Sequence, residues 1–112
     1  MHYSILMRAA AGLAIVLSTT PAWSNMAENP DVQRGRVFVQ THCARCHATG
    51  RTGKSPLTAA PRFRDLHTRY PVAQLAEALA EGIRTGHPGM PEFRLDPGQV
   101  TDVISYLESL ER

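Results

Sequence analysis

The two cysteines of this 112-residue chain, Cys43 and Cys46, are separated by only two residues. They are the only two cysteines, and both lie in one short motif. Stability must come from an apolar core, yet a chain this short has little interior to offer. Small domains with that shortage are commonly completed by a metal or a large cofactor. His47 follows the second cysteine, so the segment reads Cys43-Ala44-Arg45-Cys46-His47, or C-x-x-C-H. That is the attachment signature for c-type haem. Two thiols at this spacing reach the two vinyl groups and form thioethers, and the adjacent imidazole is carried under the iron. A haem would also supply the missing apolar volume.

C-x-x-C occurs in thioredoxin-like redox sites and in zinc sites as well. A redox site calls for a βαβ context, and no segment alternates apolar and polar residues as a strand does. A structural zinc site calls for four ligands at motif-like spacing, and His42, His67 and His87 show no such pairing. Haem attachment is the favoured reading, with a disulfide or a zinc role as the alternatives.

The first residues read as a secretory leader. Arg8 gives a positive start, Ala9 to Leu17 is a continuous small and apolar run, and Ala22-Trp23-Ser24 places small residues where a signal peptidase reads them. The expected division is a signal peptide over residues 1–24 and one domain over residues 25–112. The apolar run is about half the roughly 20 residues a membrane-spanning helix needs, an uncleaved anchor being the alternative. Export to the periplasm fits the motif, because haem c is attached in an oxidising compartment outside the cytoplasm. The net charge of +2 argues against a nucleic-acid partner, which usually meets a strongly basic face.

Helix signals follow the leader. Asn29-Pro30-Asp31 combines a capping Asn, a Pro suited to the first helical position and an acid at the positive end of the dipole. Val32, Gly35 and Phe38 then recur at helical spacing, which predicts a helix from about Pro30 to Thr41. Gly35 costs such a helix roughly 1 kcal/mol relative to Ala, which makes sense where another helix crosses closely. Gly50, Gly53, Pro56 and Pro61 mark a loop over Thr49 to Phe63. A second helix opens at Pro71, with Val72, Leu75, Leu79 and Ile83 as its apolar stripe and Gly82 or Gly86 as its end. A third opens at Asp96-Pro97, where Asp96 and Gln99 form a capping-box pattern before Val100, Val103, Ile104, Leu107 and Leu110. Tyr106 lies beside that stripe as a candidate to pack near Gly35. The fold class expected is all-α.

The second axial ligand must come from elsewhere in the chain. Met90 is the candidate, in Gly86-His87-Pro88-Gly89-Met90-Pro91 between two predicted helices. Prolines restrict that backbone and glycines permit close approach to a flat ring. A thioether favours ferrous iron, so Met/His ligation raises the reduction potential. His87 is the competing ligand, three residues away. Met26 lies near the new terminus and is a poor rival, while His42 and His67 read as surface or half-buried polar residues.

With these residues in place, the sequence resembles the class I monohaem cytochromes c, especially small bacterial periplasmic ones. The resemblance covers nearly all of residues 30–110. Its anchors are the Gly- and Phe-bearing helix before CARCH, the segment Ala60-Pro61-Arg62-Phe63, the GHPGMPEF loop, and a C-terminal helix with an aromatic residue. It implies the cytochrome c fold, three main helices and loops wrapped around one haem c. It further implies terminal helices crossing near Gly35, Phe38 and Tyr106, thioethers at Cys43 and Cys46, and axial ligands His47 and Met90. In such proteins a Pro carbonyl accepts a hydrogen bond from the proximal imidazole; Pro61 resembles that residue, with Pro56 as the alternative. Two features depart from the family pattern. The only Trp lies in the leader, leaving Tyr70, Arg51 or Arg62 for the haem propionates, and the lysine ring of some relatives is missing.

The function expected is a one-electron carrier, monomeric or weakly associating and without catalysis of its own. It would serve redox partners such as a dehydrogenase, a membrane complex or a terminal reductase. Arg45, Arg51, Lys54, Arg62 and Arg64 are expected as a basic rim that steers a partner. A haem-based sensor with a labile sixth position, and a dedicated subunit of a larger oxidoreductase, are the alternatives.

Overall fold

Asn29 opens the first helix as expected. Its side-chain oxygen accepts the Asp31 N–H at 2.9 Å, and the proline at the start gives up no needed donor. This helix, α1, spans Pro30–His42. A computed structural model describes residues 12, 14–17, 28–84 and 89–112 of the chain. The leader's cut site after Ser24, and His87 with Gly86 and Pro88, lie outside the described residues.

The later elements are shorter than α1 until the C-terminal helix. Phe63–Thr68 forms a 3-10 helix and Val72–Gln74 another, which runs directly into α2, Leu75–Glu81. The second predicted helix therefore begins as a tight 3-10 turn and becomes α-helical only at Leu75. Gly82 ends it with φ +112°, so Ile83 falls outside the helix although it completes the apolar stripe. The 3-10 helix Phe63–Thr68 was not expected, and it buries only Leu66. The C-terminal helix α3 spans Pro97–Ser109 and carries the full capping box: Gln99 N donates to Asp96 Oδ1 at 2.9 Å, and Asp96 N donates to Gln99 Oε1 at 3.1 Å. Among the described residues there is no strand, and the fold is all-α.

The predicted crossing of the terminal helices is present. A Cβ at Gly35 would run into Asp102 O and would lie 2.7 Å from Tyr106 Cβ, so only glycine lets α1 and α3 approach this closely. Arg34 ties the same crossing from outside, with Nε 3.0 Å from Asp102 Oδ2 and Nη2 3.0 Å from Asp102 Oδ1. That ion pair is solvent-exposed on the arginine side and adds little beside the packing. The core consists of Val39, Leu66, Val72, Leu95, Val103, Tyr106, Leu107 and Leu110, and among the described residues no charged or polar side chain is buried. It is small: among the described residues only Val39, at 1 % exposed, is fully enclosed. Phe38, Phe63, Leu75, Leu79 and Phe93 pack against it while remaining partly exposed.

Candidate haem-binding site

The C-x-x-C-H segment begins where α1 stops. Cys43 N and Ala44 N both donate to Val39 O, at 2.8 and 3.1 Å. The chain then coils once more, with Cys46 N and His47 N both donating to Cys43 O, at 3.2 and 3.0 Å. Residues three and four apart share a face of such a turn, which puts Cys43 on the same side as Cys46 and His47. Both thiols are unpaired and half-buried.

His47 is fixed through one ring nitrogen. Its Nδ1 lies 2.7 Å from Pro61 O, and the Phe63 ring packs 4.8 Å from the imidazole at 39°. A backbone carbonyl accepts only, so Nδ1 carries the proton and Nε2 is left with its lone pair. Of the two prolines the sequence offered for this bond, the structure selects Pro61. The 3-10 helix Phe63–Thr68 begins two residues after that carbonyl. Phe63 N completes the attachment by donating to Ala48 O at 3.0 Å.

Met90 is half-buried in the connection between α2 and α3. Backbone bonds join the two ends of that connection: Ile83 N donates to Phe93 O at 3.4 Å, and Leu95 N to Leu79 O at 2.9 Å. The Glu92 carboxylate lies against Gly82, where a Cβ would collide with it, and 3.5 Å from Arg84 Nε. Phe93 also reaches α1, its ring 6.2 Å from His42, which in turn stacks on Phe38 at 4.5 Å. His42 and His67 are both exposed, as the sequence suggested, and the His42 ring also packs between Phe38 and Phe93.

The expected basic rim is redistributed. Arg51 donates to Ser109 O, a carbonyl that the end of α3 leaves open, at 2.6 Å, and to Arg112 O beyond the helix at 2.7 Å. Arg64 donates to Gly53 O at 2.6 Å, and Arg62 pairs with Asp65 at 2.6 Å. Arg51 and Arg64 keep their charge but are held in place, while Arg62 is neutralised. A pocket of about 400 Å³ beside Pro61 is lined by Lys54, Ser55, Thr58, Arg62, Asp65 and Arg69. Lys54 and Arg69 have no acidic partner among the described residues. Arg69 was missed in the sequence because nothing local distinguishes it; only the fold brings it to Pro61.

The donor set fits a haem better than the other uses of C-x-x-C. Burial pushes the Cys43 thiol up to about 11. A redox-active or metal-binding cysteine needs the opposite shift, toward thiolate. Among the described residues, no three His, Cys, Asp or Glu side chains gather as a metal site. What the turn presents instead is two unpaired thiols beside an imidazole with Nε2 free, next to apolar side chains that are only partly covered. On an all-α frame this arrangement fits what a c-type cytochrome needs to hold its haem.

Comparison with known proteins agrees. The profile of the family described as "Cytochrome C oxidase, cbb3-type, subunit III" matches residues 30–107. The chain belongs to that family of haem-c domains. It is similar to the "Cytochrome c-553-like" protein of Synechocystis sp., 30% identical over 88 residues that cover 76% of this chain and 74% of the relative. No solved structure matches the chain. Membership brings the family's covalently bound haem c and its work in electron transfer. Among the described residues, no helix is long and apolar enough to cross a membrane.

Proposed function

We propose that the chain is a periplasmic one-electron carrier holding one haem c through Cys43 and Cys46, with His47 and Met90 as axial ligands. The observation that carries this reading is the bond between His47 Nδ1 and Pro61 O, which leaves Nε2 as the only imidazole nitrogen able to bind a metal. The haem supplies the ferric–ferrous couple; the chain's own residues fix where it sits and how readily it changes state. Cys43 and Cys46 attach it to the end of α1. Pro61 orients the proximal imidazole and raises its basicity. Met90, on a connection closed at its base, would supply the second protein ligand to the iron, and a thioether there would keep small ligands out and favour the reduced state. Lys54 and Arg69 are positioned to meet carboxylates, the propionates among them. Residues 1–24 serve as the export signal in this reading, and the chain transfers electrons between partners without catalysing a reaction itself.

Substitution tests the ligand pair. Met90→Ala should lower the midpoint potential and let the ferrous protein bind carbon monoxide. Unchanged potential and spectra in that variant would remove Met90 from the site. Cys43→Ala or Cys46→Ala should leave at most one thioether, read by mass spectrometry of the haem-bearing chain.

A further inference from the structure

The segment bearing the proximal histidine is held from two sides. On one side stand the two bonds to the 61–63 segment already described, His47 Nδ1 to Pro61 O and Phe63 N to Ala48 O. On the other side the 55–57 segment makes a matching pair. Leu57 N donates to Cys46 O at 3.1 Å, and Ala48 N donates to Ser55 Oγ at 3.0 Å. Three of these four bonds use only backbone atoms on the clamping segments. Ser55 alone contributes a side chain to the clamp. Ala48 is 7 % exposed, so its N–H has little access to water and depends on that hydroxyl. The two clamping segments are themselves joined through the turn in which Ala60 N donates to Leu57 O at 3.0 Å. Any loosening at Ser55 is thus transmitted to the chain that carries Pro61.

We propose that Ser55 is a positioning residue for the proximal ligand: by holding Ala48 N it keeps His47 Nδ1 at short distance from Pro61 O and so sets the reduction potential. This rests on the proposed ligation by His47. The physical link is the hydrogen bond at Nδ1. A short, well-aligned bond there raises imidazole basicity, and a more basic ligand favours ferric iron. Removing the Ser55 hydroxyl frees Ala48, lets the imidazole drift from the carbonyl, and weakens the ferric preference.

The test uses the full haem-loaded chain and three measurements: the midpoint potential, the ferric and ferrous spectra, and proton exchange at His47 Nδ1–H and Ala48 N–H by NMR. Ser55→Ala should keep the wild-type axial ligands and exchange the Nδ1 proton about tenfold faster. It should also shift the ferric-to-ferrous balance about threefold, upward by roughly 30 mV at about 59 mV per tenfold change. Ser55→Thr, which keeps the hydroxyl, should restore both. A Ser55→Ala protein that melts earlier but retains wild-type potential and Nδ1 exchange shows a merely structural serine and overturns the proposal. Should that variant fail to fold, the wild type decides: Ala48 N–H must be among the slowly exchanging amides, and exchange at the rate of an open loop overturns the proposal. A wild type without imidazole ligation contradicts the ligand assignment itself, which its own spectrum reveals before any variant is made.

Discussion

His47 Nδ1 and Pro61 O, 14 residues apart in the chain, lie 2.7 Å apart in space. The carbonyl is a main-chain atom, so the bond survives replacement of the proline side chain. Pro61→Ala should therefore retain His47 ligation and its absorption spectrum. It should cost about 0.4–1 kcal/mol through the greater freedom of the unfolded chain. Denaturant unfolding of the holoprotein measures the cost, and loss of imidazole ligation would show that the ring, rather than the carbonyl, sets the geometry.

The crossing of α1 and α3 depends on the missing side chain of Gly35. Gly35→Ala gains helix propensity but must push a methyl group into Asp102 O and Tyr106 Cβ. Backbone cannot yield as a flexible side chain does, so a net loss of about 3 kcal/mol is expected. Thermal unfolding should register it as a large drop in midpoint. A gain in stability would contradict the close approach.

Tyr106 links α3 to the haem-binding segment, its hydroxyl donating to Thr49 O at 2.6 Å. Tyr106→Phe should cost about 1 kcal/mol. The same hydroxyl gives a pH dependence. Burial raises the Tyr106 phenol above its ordinary value, chiefly by desolvation. The folded protein then keeps this proton while the unfolded chain loses it. Stability should be full below about pH 10 and fall as the pH rises beyond it. In Tyr106→Phe that alkaline loss should be shallower, as followed by unfolding free energies between pH 8 and 11. An equally steep loss would assign it to other groups.

The capping box of α3 offers a local control. Asp96→Ala removes the acceptor for Gln99 N and should cost about 1 kcal/mol without altering the haem spectrum. A shifted spectrum would mean that the start of α3 communicates with the ligand loop more directly than the backbone bond from Leu95 N to Leu79 O indicates.

These elements differ in how visible they are in the sequence. Both terminal helices are legible because their start signals are local: Asn29-Pro30-Asp31, and Asp96-Pro97 with Gln99. Gly35 is legible as a close approach because glycine inside a helix otherwise only costs stability. The second helix is half legible. Its apolar stripe continues to Ile83, but Gly82 takes a positive φ and breaks the helix one residue earlier. The 3-10 helix Phe63–Thr68 has no stripe to read, with one buried residue and local side-chain bonds such as Thr68 Oγ1 to Asp65 O at 2.6 Å.

The site divides in the same way. Cys43, Cys46 and His47 carry their chemistry in adjacent positions and announce it. Pro61 was reachable through family resemblance, since a carbonyl acceptor leaves no trace in residue type. Ser55 and Arg69 were not reachable, because each matters only through a partner that folding supplies. The basic residues differ for a related reason. Counting arginines gives charge but not commitment: Arg62 is paired with Asp65, and Arg51 is held by the Ser109 and Arg112 carbonyls.

The central claim is a haem with both axial positions filled by His47 and Met90. The most direct measurement is the absorption spectrum of the purified wild-type holoprotein in both oxidation states, with and without carbon monoxide. The account predicts a weak red-region sulfur-to-iron band in the ferric protein and no change in the ferrous spectrum when carbon monoxide is added. Ready carbon monoxide binding, with the sulfur band missing, would contradict it.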